Sequence, residues 1–263
     1  YYPMALTHGP MTGTPDEPDV TGFDRHNAMV RYTDKQVGIL FEELKNLGIA
    51  DNTMVIFTTD NGSSRGITGY RDGRAVQGGK GVKSEPGVCE PFIVKWPEQV
   101  SPGSESYALT DFTDLLPTFL DAAGVELPAD DFDGKSFLPV LRGGAVDGQR
   151  DWIMALGHGP ACLDEEGVRG VHNFADRVIR DKTYKVWVDQ NREITRLHNL
   201  LKDPYEEHNL IESPSEPDRR ALQKFIAVLA DLPETDTRPV YDKRNPNAWD
   251  TKDHRCKSSA GLP

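Results

Sequence analysis

Three short segments carry residue types suited to the chemistry of a charged ester. Asp60-Asn61 closes an apolar, β-branched run at residues 53–59. A carboxylate beside an amide oxygen offers the hard oxygen donors that Ca²⁺ or Mg²⁺ takes. In open α/β sheets ligands collect beyond the carboxyl ends of strands, where this pair would stand. Read alone, Asp60-Asn61-Gly62 is also an ordinary turn after a strand. Gly78-Gly79-Lys80-Gly81 flanks a lysine with residues that lack side chains. Such glycines let the backbone approach a ligand, and an ammonium is a compact donor to an anionic oxygen. The order is not a P-loop, which needs a hydroxyl residue where Gly81 stands. Alone, it is equally a surface loop with a solvated lysine. Thr7-His8-Gly9-Pro10 follows an apolar opening. A histidine there binds an anion or moves a proton, or is simply a surface residue. His158 follows another apolar run, and nothing else in the sequence lifts it above a structural role. Taken together, imidazole, ammonium and a carboxylate–amide pair describe a hydrolase in which metal and cations meet an anionic head group.

These groups need a scaffold. Residues 1–6 read as a short core strand. A helix is expected over 24–47, because Val37, Leu40, Phe41, Leu44 and Leu47 share one helical face and Gly48 can stop it. Residues 53–59 read as a fully buried strand. The Gly-, Ser- and Arg-rich stretch from there to Gly87 reads as a long loop, functional or disordered. Residues 92–96 read as another buried strand. A helix over 113–123 would be capped by Asp114, turn Leu115, Leu116, Phe119 and Leu120 inward, carry Pro117 in its first turn and end at Gly124. This alternation predicts a layered α/β sheet.

The texture then changes. Residues 128–133 read as a polar loop and 152–156 as a strand. Residues 177–180 and 184–189 read as a hairpin turning through Asp181-Lys182. A helix from Ser213 or Ser215 to about Leu232 would turn Leu222, Phe225, Ile226 and Leu229 to one side. Beyond Pro233 the chain is polar, a tail wrapped on the surface or disordered.

Composition sets the outer limits. The chain has 263 residues, with 30 Lys plus Arg against 42 Asp plus Glu, a formal charge of −12. That length fits one large α/β domain or two smaller ones. No apolar run approaches the ~18 residues of a membrane span. The acidic balance argues against broad nucleic-acid or anionic-membrane binding, so an anionic substrate would need a local cluster of positive charge. Cys89, Cys162 and Cys256 form no CxxC pair and allow at most one disulfide, which leaves the redox compartment open. The opening Tyr1-Tyr2-Pro3-Met4 has no initiator methionine and no signal peptide. The expectation is the later part of a longer chain.

In order along the sequence, these blocks resemble the sulfatase family of the alkaline phosphatase superfamily. The run from Asp51 to Gly62 resembles its metal-binding strand. Gly78 to Gly81, followed by Glu85, Gly87, Pro91 and Phe92, resembles its next block, with Pro86 departing from a usual glycine. Asp114 to Thr118 with Asp121 and Gly124 resembles the following helix. Asp133 to Ser136, Arg180 to Lys182, and Leu197 through Asp203-Pro204 to Asn209-Leu210 resemble the C-terminal subdomain.

The resemblance implies an α/β fold: part of an alkaline-phosphatase-like layered α/β sheet, then a small C-terminal α+β subdomain. It divides the chain into 1–150, the later part of the catalytic domain; 151–232, the subdomain; and 233–263, a polar tail. It implies Asp60 and Asn61 as metal ligands for Ca²⁺ (or Mg²⁺). It implies His8 and Lys80 as sulfate contacts, one of which protonates the leaving oxygen.

Family members also need paired aspartates and a C/S-x-P-x-R motif whose Cys or Ser becomes formylglycine, the nucleophile; both are expected in a missing N-terminal part. Cys89-Glu90-Pro91-Phe92-Ile93 has Ile where Arg is required, so Cys89 reads as structural. Ser215-Glu216-Pro217-Asp218-Arg219 fits literally but reads as a helix start.

The function implied is hydrolysis of sulfuric esters, with a small-molecule or carbohydrate sulfate as partner. Negligible turnover and weak metal affinity are expected from these residues alone. The alternatives are a phosphodiester or phosphonate ester hydrolase of the same superfamily, or a non-catalytic remnant with a binding or structural role. Family habit points to periplasm, lysosome or secretion; oligomeric state is unreadable.

Overall fold

A computed structural model of the chain describes residues 1–126, 132–157, 161–164, 167–170 and 173–236. The expectations for His158, for most of the 128–133 loop and for the tail beyond residue 236 lie outside the described residues. In chain order the elements are α1 (Asp24–Asn46), a 3₁₀ turn at Ala50–Asn52, β1 (Val55–Thr58), β2 (Thr68–Arg71), β3 (Arg74–Gln77) and α2 (Glu85–Val88). Then come β4 (Phe92–Lys95), a 3₁₀ turn at Phe112–Asp114, α3 (Leu115–Ala122), α4 (Leu138–Leu141), β5 (Ile153–Leu156), β6 (Ala161–Asp164) and β7 (Gly167–Gly170). β8 (Arg177–Arg180), β9 (Tyr184–Val188), β10 (Ile194–Asn199) and α5 (Glu216–Asp231) complete the series. Two compact units emerge: Tyr1–Thr58 with Pro91–Ser104, and Thr59–Glu90 with the residues from Glu105 onward.

In the first unit, α1 closes as its sequence predicts. Gly48 adopts φ +69°, a left-handed conformation that costs glycine little, and its N–H donates to the Lys45 carbonyl at 2.9 Å. The buried face is not the expected one. Ala28, Met29 and Thr33 are buried, while Leu40 and Leu47 are 44% and 67% exposed. Residues 1–6 form no strand, and Tyr1 and Tyr2 are exposed. A strand needs partners for its backbone groups, and among the described residues β1 and β4 pair only with each other, antiparallel, from Val55↔Lys95 to Thr58↔Phe92. For the same reason β1 is half-buried throughout rather than fully buried, and Ile93 of β4 is exposed.

In the second unit, β10, β9, β8 and β5 form an antiparallel sheet in that order. The hairpin β8–β9 turns where Asp181 Oδ1 accepts the N–H groups of Thr183 and Tyr184 at 2.8 and 2.7 Å. α5 packs on this sheet through Ala221, Phe225 and Leu229, against Ile179, Val186, Val188 and Leu197. Those three recur every fourth residue, the spacing of one helical stripe. Ile226, expected inward, is exposed because it falls beside the stripe. Burying a side chain the size of Phe225 contributes about 1.5–3 kcal/mol.

Asp114 stands at the N-cap position of α3, as expected, but its side chain makes no capping bond to that helix. Asp111 caps the 3₁₀ turn, accepting from Thr113 N–H, while Asp114 is buried and accepts from Asp111 N–H, Lys135 N–H and Arg150. Pro117 and Thr118 are the buried residues of α3, whereas Leu116 and Phe119 are half exposed. The stretch to Gly87 is not structureless either: it contains the β2–β3 hairpin and α2.

Candidate metal and anion site

Asp60 is exposed and Asn61 half-buried, just beyond β1. Three backbone runs then meet without side chains between them. A Cβ on Gly62 would lie 1.9 Å from the Pro86 carbonyl oxygen, on Gly78 2.2 Å from that of Ser64, and on Gly79 2.6 Å from Gly87 N. Real side chains do not fit such gaps, so only glycine permits the approach. Hydrogen bonds lock the contact. Gly62 N–H donates to Gly87 O at 3.2 Å, Gly78 N–H to Ile67 O at 2.8 Å, and Lys80 N–H to Ser63 O at 3.0 Å. The cradle therefore brings the backbone of Lys80 against the segment that follows Asp60-Asn61, and leaves the Lys80 ammonium exposed. Pro86 fits as the second residue of α2.

The charge around Asp60 suits a cation. Glu90 Oε2 accepts from the Thr59 hydroxyl at 2.6 Å, while its Oε1 is buried with no hydrogen-bond partner among the described residues. Burial raises the Glu90 pKa, the Thr59 bond opposes this, and the charge of Asp60 raises it further. Two carboxylates are thus near enough to repel, beside an oxygen that lacks a donor. With the amide oxygen of Asn61, this donor set fits a hard divalent ion.

His8 belongs to the first unit. It is exposed, with Nδ1 2.7 Å from the Gly9 carbonyl. That contact puts the hydrogen on Nδ1 and leaves Nε2 as the acceptor of the neutral ring.

Known proteins match this pattern. The profile of the sulfatase family matches residues 7–125, and that of the N-sulphoglucosamine sulphohydrolase C-terminal family matches residues 79–227. The chain belongs to the sulfatase family. It is 31% identical to arylsulfatase A of Bos taurus over 239 residues, covering 85% of this chain and 46% of that protein. It is 30% identical to the ulvan-active sulfatase of Formosa agariphila over 194 residues, 63% of this chain and 34% of that one. A structure solved in complex with its substrate, D-glucosamine-2-N,6-O-disulfate, superposes with a TM-score of 0.60 at 23% identity, covering 81% of this chain and 42% of that one. The chain thus spans less than half the length of these relatives. Its fold is α/β, part of an alkaline-phosphatase-like layered sheet followed by a small C-terminal α+β subdomain. No helix among the described residues is long and apolar enough to cross a membrane.

Behind the cradle, this sulfatase chain ties the Lys80 loop to its C-terminal sheet. Lys83 pairs with Asp176. Glu85 accepts from Arg180 Nη1 at 2.6 Å and from Lys185 Nζ at 3.0 Å. Glu206 accepts from Glu85 N–H at 2.7 Å, Lys185 Nζ at 2.9 Å and Trp187 Nε1 at 2.7 Å. Lys185 is fully buried, its charge set between two carboxylates. Sequence reasoning missed this bolt. Lys185 lies on the face of β9 opposite Val186 and Val188, which pack against α5, and on that face a lysine reads as solvent-exposed.

Ser215 stands at the N-cap position of α5, as expected of a helix start, but its side chain makes no capping bond. The neighbouring Ser213 hydroxyl instead donates to Asp218 Oδ2 at 2.6 Å. Cys89 is a free, exposed thiol.

Proposed function

We propose that this chain is the portion of a sulfuric ester hydrolase that supplies ligands for a divalent metal and for the sulfate group. Asp60 and Asn61 would hold Ca²⁺ or Mg²⁺, whose charge would offset that on the ester's oxygens when bound. The observation that carries the reading is the glycine cradle, because it joins the Lys80 backbone to the strand end that bears these donors. The exposed Lys80 ammonium is free to meet a nonbridging sulfate oxygen and to stabilise its charge as the ester bond breaks. By the resemblance alone, His8 would be a further sulfate contact. Either His8 or Lys80 hands a proton to the leaving oxygen.

The domain division at 150 and 232 is part of the same reading, supported by the separate antiparallel sheet and α5 between residues 153 and 231. The substrate class is a small-molecule or carbohydrate sulfate, and the family suggests an exported compartment. The formylglycine nucleophile would come from outside these 263 residues, and on that reading the chain by itself would turn over negligibly and bind metal weakly.

The test is sulfate binding to the intact chain by calorimetry, with and without Ca²⁺. Ca²⁺ should strengthen sulfate binding, Lys80→Ala should weaken it at any Ca²⁺ level, and Asp60→Asn should remove the Ca²⁺ effect. Sulfate binding indifferent to both substitutions would overturn the assignment. Metal-dependent release of sulfate from an aryl sulfate by this chain would overturn the expectation of negligible turnover.

A further inference from the structure

We propose that Asp203, Glu207 and His208, backed by the buried His198, form a second cation site, selective for a transition ion such as Zn²⁺. It shares no residue with the Asp60-Asn61 site and does not rest on the sulfatase chemistry.

The turn after β10 builds the cluster. Asp203 Oδ1 accepts the Glu207 N–H at 3.0 Å, and Oδ2 accepts the His208 N–H at 2.8 Å. These bonds curl the chain back, so the side chains of Glu207 and His208 return to the carboxylate that orders them. One ligand atom from each of the three residues lies within 4.8 Å of the others. Turn-forming alone would account for Asp203. It does not account for His198.

His198 is 2% exposed, and neither ring nitrogen has a hydrogen-bond partner among the described residues. A buried imidazole left in that state is unfavourable, and its Nδ1 faces Asp203 Oδ2 at 3.6 Å. His208 Nδ1 faces the same oxygen at 3.7 Å. Both distances are too long for a hydrogen bond. Around a tetrahedral Zn²⁺, with bonds of about 2.0–2.2 Å, neighbouring donor atoms stand roughly 3.3–3.6 Å apart. The His198 nitrogen stands at the upper end of that spacing and the His208 nitrogen just beyond it, so a small side-chain movement would bring both to co-ligand distance about one carboxylate oxygen.

The donors are available. An ionised carboxylate has about four acceptor sites, and the two backbone bonds leave Asp203 capacity on each oxygen. Burial works to raise the Asp203 pKa, but the Glu207 and His208 amides outweigh it and hold it below the usual carboxylate range. Glu207 pairs with Arg74 at 2.5 Å, both about half exposed, and an exposed pair of that kind yields readily. His198 lies outside the three-residue cluster and reaches it through Asp203 alone; one imidazole with two carboxylates, and a second imidazole drawn in on binding, would select zinc and its neighbours over calcium or magnesium, which prefer all-oxygen shells.

The experiment is a Zn²⁺ titration of the full chain against a chromophoric chelator, with histidine ring signals followed by NMR. One equivalent should bind. His208→Ala and Glu207→Gln, both at exposed positions, should each weaken binding roughly tenfold or more. Arg74→Met should tighten it, and Asp60→Asn should leave it unchanged. The ring signals of His198 and His208 should both move on saturation. Absence of saturable binding, or binding indifferent to His208→Ala and Glu207→Gln, would overturn the site. A His198 ring signal that stays fixed at saturation would remove His198 from it without recourse to a core substitution. Binding lost in Asp60→Asn would overturn the proposal by assigning the zinc to the other site.

Discussion

Glu85 and Lys185 meet at 3.0 Å, with the ammonium wholly out of solvent, although they lie in α2 and β9. Glu206, 4% exposed, closes the other side at 2.9 Å. This charged triad fastens the loop that presents Lys80 to the best-packed part of the chain, the sheet beneath α5.

Lys185→Met removes the one cation that both buried carboxylates share. Breaking a buried ion pair from one side costs about 3–5 kcal/mol, because the charge left behind has no partner. Arg180 and Trp187 still serve Glu85 and Glu206, so the lower end of that range is expected. Urea unfolding measures it; a loss below about 1 kcal/mol would mean the triad contributes little.

The glycines make opposite predictions by position. Gly79→Ala forces a Cβ to within 2.6 Å of Gly87 N, and the cradle must open to admit it. A destabilisation of about 1–3 kcal/mol is expected, together with faster amide exchange over residues 60–90. Gly38→Ala, in the middle of α1 with nothing within 4 Å of the new Cβ, should stabilise by about 0.5–1 kcal/mol. Equal effects at the two positions would contradict the packing described.

Asp218 gives a pH signature. The Ser213 hydroxyl bond lowers its pKa, burial opposes this, and the Tyr184 hydroxyl lowers it again, with a net depression. A carboxyl depressed on folding contributes stability above its unfolded pKa of about 3.9, and that contribution disappears as pH falls through the lower folded value. The melting temperature should therefore drop below about pH 4, and less steeply in Asp218→Asn. Identical pH profiles for the two proteins would exclude Asp218 as a contributor.

Local signals in the sequence read well where the deciding contacts are local. Gly48 and the Phe225–Leu229 spacing marked two helices, although Ala221 does not read as part of the buried stripe and Ile226 does, and Asp181 marked the β8–β9 turn. The reading failed where partners are distant. Asp114 reads as a cap, and its side chain is drawn instead to Lys135 and Arg150, far along the chain. Residues 1–6 look like a strand by composition, but a strand exists only with a neighbour. At the candidate site, the glycines around Lys80 signalled close backbone approach to a ligand, yet nothing in the local sequence said that the runs carrying Gly62 and Gly87 are what they approach. The bolt through Lys185 was invisible for the same reason.

That bolt also orders events during synthesis. Glu85 leaves the ribosome 100 residues before Lys185 and 121 before Glu206. At about 5–20 residues per second, the gap to Glu206 is of the order of 6–24 s. Through that interval the Lys80 loop exists without its anchor, and closing so long a span is intrinsically slow. The ligand-bearing loop is therefore translated early and fixed late, and a nascent chain stalled before residue 206 should carry it unfastened.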